Sequence, residues 1–377
     1  METIFWFFIF LILYCYFGYP LVLFVLGIFL EKKPEKKEIF PSISLLIPAY
    51  NEEKVIQKKI ENSLELDYPK DKLEIIVASE SNDKTNEIVK NYEQKGVKLF
   101  VYPGREGKQY TIYRTIPHCK GEIIVLTDAN GIFQKDALKK LVRNFADKRI
   151  GCVSGLLRYV NILKYSFGES EGIYWKYESF LKKLESNIFS LLGVNGSIYA
   201  IRRELYKPIS SYRGDDFDLP IRVILQGYGV ILEPEAISEE EIYSTAIANF
   251  KRKVVIAGWH FKGALLLLKE SIKRFKPLLF FELMSHKILR WLIGYFLIFI
   301  FLSNLFLLEK SFYFFLFIFQ IIFYLLAILG YLIEKKGKKL NKLINLVYYF
   351  CGVNLAATIG VIYGIFGKQK PVWEKVR

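Results

Sequence analysis

Gly121-Glu122-Ile123-Ile124-Val125-Leu126-Thr127-Asp128-Ala129-Asn130 places four consecutive apolar residues, three of them β-branched, directly before a polar tip. A short apolar run bounded by turn residues reads as a strand buried on both faces, as in a parallel α/β sheet. In open α/β sheets, ligands bind just beyond strand ends of this kind. On extended backbone, residues two apart share a face. Asp128 and Asn130 are therefore expected to point the same way, as a pair of oxygen donors suited to Mg2+ or Mn2+. The alternative for the same residues is an ordinary turn, with Asp128 capping the next element.

Similar runs lie on either side. Residues 42–47 end in Pro48-Ala49-Tyr50-Asn51-Glu52-Glu53, and helical spacing follows at Ile56, Ile60 and Leu64. Residues 73–78 end in Ser79-Glu80-Ser81-Asn82-Asp83-Lys84-Thr85, where Asn82 or Asp83 can cap a helix carrying Ile88, Val89 and Tyr92. Residues 97–101 lead into a basic glycine-bearing loop, Pro103-Gly104-Arg105-Glu106-Gly107-Lys108. Asp136 opens a helix with Leu138, Leu141, Val142 and Phe145 on one face. Strands alternating with helices predict a parallel α/β sheet.

After Ile150 the pattern loosens. A helix is predicted over 174–186, with Glu171, Glu178 and Glu185 seven apart on a stripe that reads as a solvated face. Gly193-Val194-Asn195-Gly196-Ser197 and an apolar run over 198–201 come next. Gly214-Asp215-Asp216-Phe217-Asp218-Leu219 precedes a helix over 220–226, then turn and strand over 227–237. His118 falls in a helix-to-strand turn. His260 and His286 have no acidic neighbour in sequence and read as interfacial residues.

The two ends differ from this middle. Residues 4–30 are apolar throughout and long enough to cross a bilayer. They are too long for a signal-peptide core and carry Glu2 rather than a basic start. Lys32, Lys33, Lys36 and Lys37 follow, which assigns the middle region to the cytoplasm. Further spans are predicted at about 288–308, 312–333 and 344–366, with Arg290 snorkelling to an interface. One span before the middle region and three after it would put the basic tail outside, against the same charge rule. Residues 241–277 read as amphipathic and interfacial. The divisions expected are thus 1–38, 39–240, 241–277 and 278–377. The net charge of +15 flanks the apolar ends, which fits membrane lipids rather than nucleic acid. Cys15, Cys119, Cys152 and Cys351 are isolated, with no zinc spacing and no disulfide framework.

The polar tips have complementary chemistry. A basic Gly-Lys loop suits a diphosphate, an acidic pair suits a divalent metal, and acidic and amide groups at two earlier tips suit a base and ribose. Asp215-Asp216 can supply a general base. Together these describe group transfer from a nucleotide-diphosphate donor to a hydroxyl acceptor. On residues 48–53, Gly107-Lys108, residues 121–130, residues 195–203, Asp215-Asp216 with Leu219, and Trp373-Glu374-Lys375, the chain resembles a membrane-bound family-2 glycosyltransferase over nearly its whole length.

That resemblance implies a GT-A fold, a Rossmann-like mixed sheet flanked by transmembrane α-helices. It implies an inverting enzyme at the cytoplasmic membrane face, acting in polysaccharide synthesis or on a glycan or lipid-linked acceptor. Ala49, Asn51, Glu52 and Glu80 would line the nucleoside pocket, and Arg105 and Lys108 would meet the diphosphate of a nucleotide-diphospho-sugar donor. Asp128 and Asn130 stand at the family's D-x-D metal motif, for Mg2+ or Mn2+. Asp216 stands at the catalytic base, Asp215 is its structural neighbour, and Arg252 is near a leaving-group arginine. Asn195, Gly196 and Ser197 would shape the acceptor region, or form a tight turn. Tyr174 and Trp175 would stack on sugar or serve packing. Three departures stand out: the tip after Ser79 is one residue shorter than the family's, Asn130 replaces an acidic residue, and Q-x-x-R-W is absent. The first two motivate an alternative, a sugar-nucleotide-binding membrane subunit with weakened catalysis. A transporter is disfavoured by the few ionisable residues in the apolar spans.

Overall fold

The computed structural model of the chain describes residues 1–160, 166–208, 214–241 and 246–367, with backbone alone at 166–171 and 246. Helices α1 (Glu2–Leu13) and α2 (Tyr19–Leu30) are joined by a π turn into one apolar rod. The middle region follows as β1 (Ile43–Ala49), α3 (Ile56–Leu64), β2 (Leu73–Ser79), α4 (Thr85–Lys90), β3 (Val97–Val101), α5 (Lys108–Thr115) and β4 (Ile123–Leu126). It continues with β5 (Ile132–Phe133), α6 (Ala137–Val142), β6 (Ile150–Tyr159), α7 (Ser166–Asn187), β7 (Tyr199–Arg202), α8 (Asp215–Leu225) and β8 (Gly229–Glu240).

One eight-stranded sheet runs in the order β3-β2-β1-β4-β7-β6-β8-β5. The parallel expectation holds for β3, β2, β1 and β4. It fails at β7, which pairs antiparallel with both β4 and β6, so the sheet is mixed. The reversal has a local consequence. Leu126 lies opposite Tyr199, so the residues just before β7 sit beside the end of β4. Strand β6 escaped the periodicity because Gly151, Ser154 and Gly155 interrupt its apolar run, and its pairing with β8 carries two register shifts.

The apolar run of β4 is buried on both faces. Ile123 and Val125 pack with Ile56 and Ile60 of α3 and with Leu138 and Leu141 of α6. Ile124 and Leu126 pack with Ile112 and Ile116 of the α5 end and with Leu219 and Val223 of α8. Period-two alternation sends successive residues to opposite layers, which is why no polar residue interrupts the run.

Beyond the sheet come α9 (Ala246–Lys273), α10 (Pro277–Glu282), a π turn (Leu283–Ile288), α11 (Leu289–Trp291), α12 (Ile293–Leu305), α13 (Ser311–Lys335) and α14 (Lys342–Phe366). The rod Glu2–Leu30, α13 and α14 are long and apolar enough to cross a membrane. The span expected at 288–308 is instead a bent pair: Pro277–Trp291 meets α12 at 58°. Helix α9 packs closely on α14. A Cβ on Gly360 would lie 2.5 Å from the Val254 carbonyl oxygen, and one on Gly364 would lie 2.6 Å from that of Gly258. Trp373-Glu374-Lys375 lies outside the described residues.

Candidate active site

The tips of β1 and β2 are stitched together. Glu80 N–H donates to the Ala49 carbonyl (3.1 Å), Asn51 N–H to Ser81 Oγ (2.8 Å), Asn82 N–H to Asn51 Oδ1 (2.9 Å) and Glu52 N–H to Thr85 Oγ1 (2.8 Å). Asn51 holds a left-handed backbone, φ 54°, which asparagine tolerates better than most residues. Glu80 is buried. Its Oε2 accepts from Gly107 N–H at 2.9 Å, while its buried Oε1 has no partner. Arg105 lies over the Tyr50 ring at 4.4 Å. The basic loop is thereby fastened to the first two tips.

Lys108, the first residue of α5, connects this loop to the centre. Its Nζ lies 2.7 Å from Asp128 Oδ1 and 3.6 Å from Asp215 Oδ2. Burial pulls its pKa down, but Asp128 and Asp215 outweigh that and hold it above the ordinary lysine value. Asp215 is buried and also accepts from Gln109 Nε2 (2.6 Å) and Tyr199 Oη (2.7 Å). Asp216 points elsewhere and is 41% exposed. A Cβ added to Gly196 would lie 3.8 Å from both Asp128 Oδ2 and Asp216 Oδ2. The two carboxylates thus face one point across a residue without a side chain.

Asn195 is a scaffold for that point. It accepts from Lys182 Nζ (2.7 Å), donates from its side-chain amide to the Gly155 carbonyl, and donates from its backbone N–H to Ser154 Oγ (3.0 Å). The segment is a turn, closed by Ile198 N–H on the Asn195 carbonyl (2.9 Å). Ser197 Oγ is buried without a partner beside it.

Asp128 and Asn130 do not share an extended face. The strand ends at Leu126, and Gly131 N–H bonds the Asp128 carbonyl at 3.2 Å, closing a turn. The buried ammonium of Lys59 supports this turn from α3. It donates to Thr127 Oγ1 (2.9 Å) and the Gly131 carbonyl (2.5 Å) and lies 4.0 Å from the Phe133 ring centroid. Burial lowers its pKa to about 7, against the attraction of Asp128 and Glu240. The signal was available: Ile56, Lys59, Ile60 and Ser63 make one helical stripe, and all are buried.

Four further readings are corrected. The predicted helix over 220–226 starts at Asp215 instead, putting Asp215 and Asp216 in the first turn of α8, where the helix dipole favours anions. His260 does have an acidic partner: its Nε2 lies 3.6 Å from Asp216 Oδ1. Burial raises the Asp216 pKa, but His260, Lys108 and Lys182 overcome it and hold the carboxyl at about 2. The glutamate stripe is not solvated. Glu178 and Glu185 are buried around His286, with His286 Nδ1 2.5 Å from Glu185 and Nε2 3.3 Å from Glu178. Arg290 does not snorkel but bonds Glu178 Oε2 at 3.0 Å. The side chain of Glu171 lies outside the described residues. Tyr174 packs near Tyr349, with Lys253 over both rings. Arg252 is exposed on α9, eight residues before His260.

Asp128 and Asn130 offer hard oxygen donors of the kind Mg2+ and Mn2+ take, and Asp128 Oδ2 is not the oxygen that Lys108 holds. Among the described residues no three His, Cys, Asp or Glu side chains cluster as a metal site. The donor set fits a metal whose remaining ligands are phosphate oxygens and water.

The model of the glycosyltransferase like family 2 matches residues 41–255. The probable glycosyltransferase YdaM of Bacillus subtilis is 29% identical over 235 residues, 56% of this chain and 53% of its own length. A beta-monoglucosyldiacylglycerol synthase of Synechocystis sp. is 26% identical over 225 residues, 57% of this chain and 47% of its own. The chain spans about half the length of these curated relatives. Among solved structures, the mannosyltransferase PcManGT of Pyrobaculum calidifontis, in complex with GDP-Man and Mn2+, superposes with a TM-score of 0.71 at 20% identity, over 97% of this chain and 100% of that one. The likeness is one of fold, and it extends through the helices at both ends.

Proposed function

The chain belongs to glycosyltransferase family 2, and from that premise we propose that it moves a sugar, with inversion, from a nucleotide-diphospho-sugar to a hydroxyl of a glycan or lipid-linked acceptor. The observation that carries this reading is the convergence of Asp128 Oδ2 and Asp216 Oδ2 on Gly196, with Lys108 bonded to the far oxygen of Asp128. One carboxylate is committed to the cationic, diphosphate side and the other is left to the acceptor.

Asp216 accepts the proton of the acceptor hydroxyl as that oxygen bonds to the anomeric carbon. The bond from that carbon to the diphosphate oxygen breaks, and its electron pair leaves with the nucleoside diphosphate. Held at about 2, the Asp216 carboxyl is ionised across the neutral range. A positioned general base contributes about 10²–10⁴-fold. Lys108 offsets charge on the leaving group, and Arg252 is a second candidate for that role. Asp128 and Asn130 would hold Mg2+ or Mn2+, which neutralises diphosphate charge when bound. Ala49, Asn51, Glu52, Glu80 and Arg105 belong to the nucleoside side, where the first two tips are joined. Asp215, locked by Gln109, Tyr199 and Lys108, holds α5 against α8 rather than taking the proton.

The membrane reading follows the same premise. Taking the bent pair as a segment that does not cross leaves one span before the sheet and two after it. The catalytic part and the C-terminal end of α14 then lie on one side, which we assign to the cytoplasm from the lysines that follow the first span.

The test uses full-length protein in detergent against a panel of nucleotide sugars, with Mg2+ and with Mn2+, following release of nucleoside diphosphate. We expect one donor to be turned over, and Asp216→Asn to bind it with unchanged affinity while losing most turnover. Donor binding without release by the unmodified chain would instead favour the binding-subunit alternative.

A further inference from the structure

We propose that His260 is the positioning residue of the catalytic base, and that it acts from a helix whose place is fixed by the membrane segment. The inference rests on the reading of Asp216 as the base. His260 Nε2 faces Asp216 Oδ1 at 3.6 Å. Contacts of this length are common before substrate is bound and tighten in the reacting complex. The imidazole plane is set on two sides. It stacks on Phe217 with ring centroids 4.9 Å apart and planes 25° apart, and the Trp291 ring lies at 6.3 Å.

The chain leaves room for the pair at Gly214, the residue before α8. A Cβ there would stand 2.5 Å from His260 Nε2 and 2.6 Å from Asp216 Oδ1. No larger residue fits without parting them. The other charged groups around Asp216 come from elsewhere: Lys108 from α5, Lys182 from α7, and Asp128 across Gly196. Lys108 is already held by Asp128 and Lys182 by Asn195, so neither is free to orient Asp216. His260 is the cation-capable group aimed at the Asp216 oxygen that Gly196 does not face.

What aims His260 is α9. Two residues before it, Gly258 meets Gly364 of α14, and Val254 meets Gly360. Small residues at such contacts bring two backbones close and fix their register. The base is therefore oriented by a helix registered on an apolar segment long enough to span the bilayer, rather than by the sheet that carries the donor site.

Two substitutions separate this role from simple packing. His260→Phe keeps the ring that stacks on Phe217 and removes the nitrogen. His260→Gln gives up the ring and keeps an N–H at similar reach. Steady-state transfer is measured with the full chain in detergent, using the donor identified by the panel. Positioning predicts that His260→Gln stays within about threefold of the unmodified kcat, while His260→Phe loses roughly tenfold or more with donor KM unchanged. Packing predicts the reverse order. A His260→Phe enzyme equal to the unmodified one, equal losses in both variants, or a greater loss in His260→Gln would each overturn the proposal. Asp216→Asn in the same series keeps the two inferences apart. An active Asp216→Asn removes the base itself, whereas an inactive Asp216→Asn beside a normal His260→Phe removes only the role of His260.

Discussion

Replacing Lys59 with methionine should make this protein more stable near neutral pH and less active. The ammonium is fully buried, and its pKa falls from 10.5 to about 7. A lysine depressed in the folded state binds fewer protons there than in the unfolded chain between those two values. Stability therefore rises with pH across that window, and the cost of the buried charge is complete below it. The slope is about 1.4 kcal/mol per pH unit, so moving from about pH 7.5 to about pH 9 relieves roughly 2 kcal/mol. For a catalytic region of this size that corresponds to roughly 4–8 °C in Tm. Methionine fills a similar volume without the charge, so its burial carries no such desolvation cost. Thermal unfolding of the metal-free protein in detergent, followed by tryptophan fluorescence, should show Lys59→Met melting higher than the parent near pH 7.5. The gap should narrow by roughly 2 kcal/mol by about pH 9 and go on shrinking toward the ordinary lysine value. Turnover should fall roughly 10- to 100-fold, because the Asp128–Gly131 turn loses the donor to the Gly131 carbonyl and its geometry loosens. Parallel pH dependences of Tm in the two proteins would refute the assignment of Lys59 as a strained buried cation.

Gly214→Ala should leave donor KM near its normal value and lower kcat roughly tenfold or more, since the new methyl lies between His260 and Asp216; an unchanged kcat would show that the close approach is irrelevant to turnover. Glu178→Gln should cost roughly 3–5 kcal/mol, because it leaves Arg290 and Lys287 largely buried without their counter-charge. The matched surface change Glu239→Gln, which breaks a half-exposed pair with Arg158, should cost less than about 1 kcal/mol, and similar Tm losses in the two would contradict the contrast. Asp215→Asn should raise donor KM more than it lowers kcat, because Lys108 loses one of its two anions, whereas Asp216→Asn should do the opposite; initial-rate kinetics on both variants check the division.

Much of the half of the sheet that we propose holds the donor was legible in the sequence. Strands β1 to β4 are short apolar runs ending in polar tips, and covering both of their faces leaves little freedom in how they assemble. The other half of the sheet was harder. β6 carries glycines because neighbouring side chains press on it, so its pattern is broken where its packing is tightest. Asp128 and Asn130 were correctly placed at a strand end but wrongly given strand geometry, because local spacing does not reveal where the backbone turns. His260 and His286 looked solitary because their carboxylate partners lie 44 and about a hundred residues away. The Glu178–Glu185 stripe failed for the converse reason. Seven-residue spacing marks a face, and only the tertiary fold decides whether water or another helix covers it.

The apolar cluster under α8 joins Phe217, Ile221 and Leu225 to Phe261, Ala264 and Leu267 of α9 and onward to Leu279, Leu283, Ile288 and Val361. It crosses the border that a map of sheet and helices would draw at residue 240. A chain cut there would keep all eight strands and both Asp215 and Asp216, yet its α8 would show water a bare hydrophobic flank beside Asp216. The enzyme is therefore not severable into a soluble catalyst and a detachable anchor. Whatever shifts those helices alters the floor on which Asp216 stands.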